Sequence, residues 1–275
     1  MSSWRWPCGD LAWAVRAQGD SAEAVGALID GALGHPGEPL PDAREALLVT
    51  TPGADWRVNC GEASRQALGE GPVTLAIPPL AGDPETVGAA VLWVAAVLAL
   101  PVVARGGALL HGALAEQHGR GVLLAAAGGT GKSTASARLP EPWRSHSDDT
   151  TLVVRDAEGG YRAHPWPTWS RFLWGGPGGQ WAVHHSTPLR GAYFLRQAPH
   201  DEVTALGRGE TAVRLGQAAE QALGICLRTL APQEARALRR TLFDTMSAMA
   251  AVVPGHQLGL TLHGSFWELL EHASP

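Results

Sequence analysis

Lysine is almost absent from this chain: Lys132 stands alone against twenty arginines in 275 residues. Aromatic residues other than tryptophan are also scarce, two tyrosines and four phenylalanines beside eleven tryptophans. Packing of a core accounts for most of those tryptophans. Cys8, Cys60 and Cys226 lie far apart with no C-x-x-C pair, so neither a disulfide framework nor a zinc site is indicated. Charged residues make up 17% and the formal net charge is −5, which gives no support for the basic face of a nucleic-acid-binding protein. The opening Met1-Ser2-Ser3-Trp4-Arg5-Trp6-Pro7 lacks an apolar signal core. The most apolar run, Val87–Val103, contains Gly88 and Pro101, is short for a membrane span and reads as a buried helix. These absences lead to the expectation of a cytoplasmic protein with neither a membrane nor a nucleic-acid partner.

What is present is a glycine-rich stretch, Ala125–Thr134, between the apolar Gly121-Val122-Leu123-Leu124 and Ala135–Leu139. The order is strand, glycine turn, helix start. A phosphate cradle needs that order, because backbone N–H groups and a helix N-terminus must converge on one anion. The Walker A pattern, G-x-x-x-x-G-K-[ST], is met by Gly131-Lys132-Ser133, but Ala126 stands where its first glycine belongs. A composition that otherwise avoids lysine keeps one here, where a compact ammonium does what arginine's planar fork does not. The competing account is a glycine-rich turn in an ordinary sheet.

Residues 1–104 carry no nameable chemical motif and form an expected α/β scaffold or docking region. Ser21–Leu33 reads as a helix capped by Ser21, Ala46–Thr50 as a strand, and Pro84 to about Leu100 as a second helix. From residue 105 a second domain is expected. Ala108–Ala115 reads as a strand, Glu116–Gly121 as a hairpin turn and Val122–Ala126 as the strand that delivers the glycine turn. A brief helix starts at Ser133 and is stopped by Pro140 and Pro142. Asp148-Asp149 precedes the strand Thr151–Val154. The tail reads as helical: Gln217–Arg228, Pro232–Ala250 and Phe266–Leu270.

The residues that now stand in order are Leu110-His111-Gly112-Ala113, the Gly128–Thr134 loop, Pro142-Trp143-Arg144, Asp148-Asp149, Leu152–Arg155 and His164-Pro165-Trp166-Pro167-Thr168-Trp169-Ser170. This set resembles the catalytic core of HPr kinase/phosphorylase, and more closely the ScmC proteins of SynChlorMet cassettes in ribosomal-peptide biosynthesis. The resemblance covers roughly residues 109–196. It implies an α/β fold with a P-loop core of the phosphoenolpyruvate-carboxykinase/HPr-kinase type. It also implies ATP and Mg²⁺ as cofactors, a precursor peptide or small protein as acceptor, other maturation enzymes as companions and a homo-oligomer. Two departures stand out: the helix after the loop is short, and Pro188 occupies the place of a family glutamate before Arg190-Gly191.

Phosphoryl transfer asks for positioning and charge stabilisation. The residues expected to hold nucleotide are Gly128, Gly129, Thr130, Gly131, Lys132, Ser133 and Thr134, with the Ser133 hydroxyl on Mg²⁺. From the resemblance, Asp148 is the base and Asp149 the metal ligand. Adjacent strand residues face opposite ways, so both reach one site only at a strand end or an irregular loop. His111 is a candidate beside the phosphates and Arg190 a candidate transition-state cation. His164–Trp181, followed by His184 and His185, lacks an acid or cysteine at zinc-ligand spacing. It reads either as an aromatic plug or as a substrate loop with Trp169 and Arg171 as contacts. Three functions follow: a peptide serine/threonine kinase, a small-molecule kinase, or a non-catalytic nucleotide-gated peptide-binding subunit. The D-x-x-G and N-K-x-D motifs of GTPases are missing, as are H-R-D and D-F-G of protein kinases.

Overall fold

The computed structural model describes residues 2–8, 11–33, 43–53, 55–80, 84–167 and 182–272. The chain divides into two compact units, one of residues 1–105, 166–184 and 223–239, the other of residues 106–165, 185–222 and 240–275.

The first unit holds β1 (Ser2–Cys8), β2 (Leu11–Gln18), α1 (Asp20–Leu33), β3 (Arg44–Thr50), α2 (Trp56–Leu68), β4 (Val73–Ile77) and α3 (Pro84–Ala104). Its four strands lie in the order β1-β2-β3-β4. β1 and β2 form an antiparallel hairpin, while β2, β3 and β4 run parallel. Parallel neighbours need a crossover, and α1 and α2 provide the two. Val73, Leu75 and Ile77 alternate into the core with Thr74 outside, the period of a strand covered on one face. α3 is long and apolar enough to cross a membrane by composition, but 78% of its apolar window is buried, the state of a core helix. Its carbonyls receive indole donors: Trp13 Nε1 reaches Leu98 O at 2.9 Å and Trp166 Nε1 reaches Ala95 O at 3.2 Å. The helix continues past the expected end at Leu100 and carries Pro101 inside it.

The second unit holds β5 (Ala108–Gln117), β6 (Arg120–Ala125), α4 (Lys132–Ala137), β7 (Arg144–Ser147), β8 (Thr150–Arg155), β9 (Tyr161–Pro165), β10 (Thr187–Gln197), β11 (Glu202–Ala205) and α5 (Arg208–Ala222). α6 (Gly224–Thr229) belongs to the first unit, and after it and α7 (Pro232–Val252) come β12 (Gly255–Leu260) and α8 (Trp267–His272) of the second. The sheet runs β11-β12-β10-β6-β5-β8-β9, with β7 also on β5 and β9 touching the start of β10. β6, β10 and β12 are parallel, and β5 and β8 are antiparallel to their neighbours. One face is sealed by Ala113, Ala115, Val122, Leu124, Tyr193, Leu195 and Leu258 against Ala135, Trp143, Phe266 and Leu270.

The structure corrects three expectations. The tail is not wholly helical, because Gly255–Leu260 is a strand between β10 and β11. The helix expected from Gln217 to Arg228 begins at Arg208 and breaks at Leu223 into α5 and α6. The turn expected over Glu116–Gly121 shrinks to His118-Gly119, both at positive φ, while Glu116, Gln117, Arg120 and Gly121 stay in the ladder.

Candidate functional site

Three segments of chain meet at the start of β5. The β5–β6 register sets Gly112 opposite Ala125, which brings His111 level with Ala126, the first residue of the glycine turn. On its other side His111 pairs with Thr150 of β8. β7 and β8 both pair with β5, and the chain bends between them at Asp148-Asp149. That bend is the irregularity two adjacent aspartates need in order to serve one site.

The glycine turn has its own internal order. Gly129 and Gly131 adopt φ of 77° and 106°, the left-handed region open to glycine. Thr130 N and Oγ1 both donate to Ala127 O, at 3.3 and 2.9 Å. Ala135 N donates to Gly131 O at 2.8 Å and begins α4. Ser133 and Thr134 stand exposed in that first turn, where helical N–H groups lack intrahelical acceptors.

Lys132 turns inward and is 6% exposed. Its ammonium donates to Ala126 O at 3.0 Å and lies 2.7 Å from His111 Nε2. A lysine ammonium has only donors, so Nε2 is the acceptor and the ring proton sits on Nδ1. That nitrogen faces Asp149 Oδ1 at 3.5 Å. Burial pushes His111 below its ordinary pKa and the Lys132 charge adds to this, while Asp149 pulls the other way. Burial also pushes Lys132 down, opposed by Asp149 and then Asp148. Lys132 therefore feels both carboxylates. Asp148 is buried at 3% exposed, and Asp149 keeps a partly open side chain.

Of the residues expected from the sequence, the structure brings together His111, Lys132, Asp148, Asp149 and the loop Gly128–Thr134. It does not bring Arg190. Phe194 of β10 pairs with Ala125, whereas Arg190 is the bulged residue between Leu189 and Gly191 at the start of β6. At ~3.3 Å per residue it stands about 13 Å down the strands from the glycine turn. Trp169 and Arg171 lie outside the described residues.

Two clefts flank the turn. One of about 560 Å³ is lined by Gly129, Gly131, Thr134, Arg138, Gln197 and Thr261, a volume in the range of small-molecule sites. Arg138 is fixed there by donating to Thr261 O at 2.9 Å and to Gly264 O. The other, of about 240 Å³, lies between Ala126–Ala127 and Arg214, Gln217 and Gln221 of α5. Sequence reasoning did not single out Arg138, Arg214, Gln217 or Gln221. Only the spacing Arg214-x-x-Gln217-x-x-x-Gln221, one face of a helix, could have signalled the α5 group.

A family model described as SynChlorMet cassette protein ScmC matches residues 85–274. The match thus takes in α3 as well as the sheet that carries the glycine turn. No curated protein matches the chain.

Proposed function

This chain belongs to the ScmC family of SynChlorMet cassette proteins, and we propose that it is an ATP- and Mg²⁺-dependent kinase with a P-loop core of the HPr-kinase type. Its acceptor is a serine or threonine hydroxyl of a ribosomally made precursor peptide. The observation that carries this reading is one buried ammonium, Lys132, set among His111, Asp148 and Asp149 at the mouth of a strand-to-helix glycine turn.

The residues suit a nucleotide. No atom lies within 4 Å of a Cβ built on Gly128, Gly129 or Gly131, so the outer side of the turn is open to a phosphate chain. Amides at the start of α4 point towards that space. Lys132 would neutralise phosphate charge there, giving up its contacts with His111 and Ala126 O to do so. Ser133 and Asp149 would hold Mg²⁺, whose charge draws electron density from the transferred group. Asp148 takes the proton of the acceptor hydroxyl. The acceptor oxygen forms its bond to the γ-phosphorus, the bond from phosphorus to the bridging oxygen breaks, and ADP leaves. The peptide acceptor rests on the cassette membership rather than on the site.

The test incubates the purified chain with ATP, Mg²⁺ and candidate ribosomal precursor peptides carrying serine or threonine, followed by mass spectrometry. A gain of one phosphate on the peptide supports the kinase. Nucleotide binding without transfer to any hydroxyl acceptor overturns it in favour of a nucleotide-gated binding subunit.

A further inference from the structure

At the far end of β5 from the glycine turn, three ligand-type side chains converge. His185 Nε2 lies 2.6 Å and His146 Nε2 3.1 Å from the same oxygen, Oε2 of Glu116. The two imidazoles stack with centroids 4.3 Å apart and an interplanar angle of 24°. The three ligand atoms all lie within 4.8 Å of one another.

The local fold aims them. The β5–β7 register passes from Leu114↔Ser147 to Ala115↔Ser145, so His146 is the extra residue of a β-bulge. A bulge of this kind re-aims one side chain, and bulges concentrate beside functional sites. His185 comes from the segment just before β10, far away in sequence. His146 Nε2 is buried, and among the described residues no hydrogen-bond partner is aligned with it. A buried nitrogen that faces a carboxylate without aligned hydrogen-bond geometry calls for an explanation, and a bound ion is one that also uses the second imidazole.

We propose that Glu116, His146 and His185 bind one divalent transition-metal ion of the zinc class. Two imidazoles and one carboxylate form a borderline donor set suited to such an ion, and a fourth position is left for water. A tetrahedral ion with bonds of ~2.1 Å spaces its ligand atoms about 3.4 Å apart, so a small relaxation admits it. The site is separate from the nucleotide site: five residues of strand put Glu116 roughly 17 Å from His111 and on the opposite sheet face.

The experiment strips the full chain with chelator and titrates it with Co²⁺, read by visible absorption, then displaces the Co²⁺ with Zn²⁺. One equivalent is expected, with intense tetrahedral-type d–d bands and no thiolate charge-transfer band. Glu116→Gln and His146→Ala each weaken binding by at least about 100-fold, beyond the cost of an outer-shell change. Asp149→Asn binds as the parent does. Circular dichroism confirms that the variants are folded, and the parent chain decides the matter whatever their fate. No stoichiometric Co²⁺ binding by the parent overturns the proposal. So does a thiolate band, a loss of binding in Asp149→Asn, or undiminished affinity in a folded Glu116→Gln and His146→Ala.

Discussion

The Lys132 ammonium lies 2.7 Å from Nε2 of His111, whose Nδ1 faces Asp149 Oδ1 at 3.5 Å. The ring therefore sits between the cation and a carboxylate and fixes where each of them points. His111→Phe keeps the ring volume but removes both nitrogens, leaving Lys132 with the Ala126 carbonyl. The expected outcome is a kcat for phosphoryl transfer lower by ~10–100-fold, the usual loss when an orienting group is removed. His111→Gln, which can still accept from the ammonium, retains more of the rate. Steady-state kinetics on the three proteins check this, with KM for ATP moving less than kcat.

Within the turn, Gly129 and Gly131 have left-handed backbones and Gly128 does not. An alanine pays ~1–2 kcal/mol per residue in that region. Gly129→Ala and Gly131→Ala are each expected to lower unfolding free energy by about that amount, and Gly128→Ala to leave it within ±0.5 kcal/mol. Urea denaturation of the three variants provides the comparison.

His256 of β12 stacks on Tyr193 at 4.9 Å and is buried, which pushes its pKa below the ordinary histidine value. On acidification the unfolded chain takes up this proton first. The contribution of neutral His256 is thus fully present above about pH 6.5, the unfolded pKa. It is lost progressively as pH falls from there through the folded pKa. His256→Phe keeps a ring against Tyr193 and does not titrate. Between pH 7.5 and 5.5 the parent is expected to lose more unfolding free energy than the variant, measured by chemical denaturation at each pH.

Much of the site was legible because its parts are local in sequence. A glycine turn after an apolar run, one lysine in a lysine-poor chain and two adjacent aspartates before a β run each announce their geometry. The place of Arg190 was not legible because Arg-Gly carries no information on strand register, and the β6–β10 pairing sets it at the end of the strands away from the glycine turn. β12 was hidden by its composition. Its Gly255 is required because a Cβ there would meet Thr211 Oγ1 at 2.2 Å, yet two glycines in six residues argue against a strand. The Glu116–His146–His185 cluster was invisible for another reason. Its members come from three separated segments, and a bulge, which spacing does not reveal, aims one of them.

Asp148 and Asp149 divide the chemistry in this account, and Lys132 serves both. The most direct test is the time course of phosphate transfer from ATP to a precursor peptide, run in parallel for the parent, Lys132→Ala, Asp148→Asn and Asp149→Asn. The parent is expected to transfer phosphate, with each variant slower by at least ~10²-fold, the range for loss of a positioned acid–base group. Raised Mg²⁺ is expected to restore part of the rate to Asp149→Asn but none to Asp148→Asn. Transfer by Lys132→Ala at the parent's rate would contradict this account.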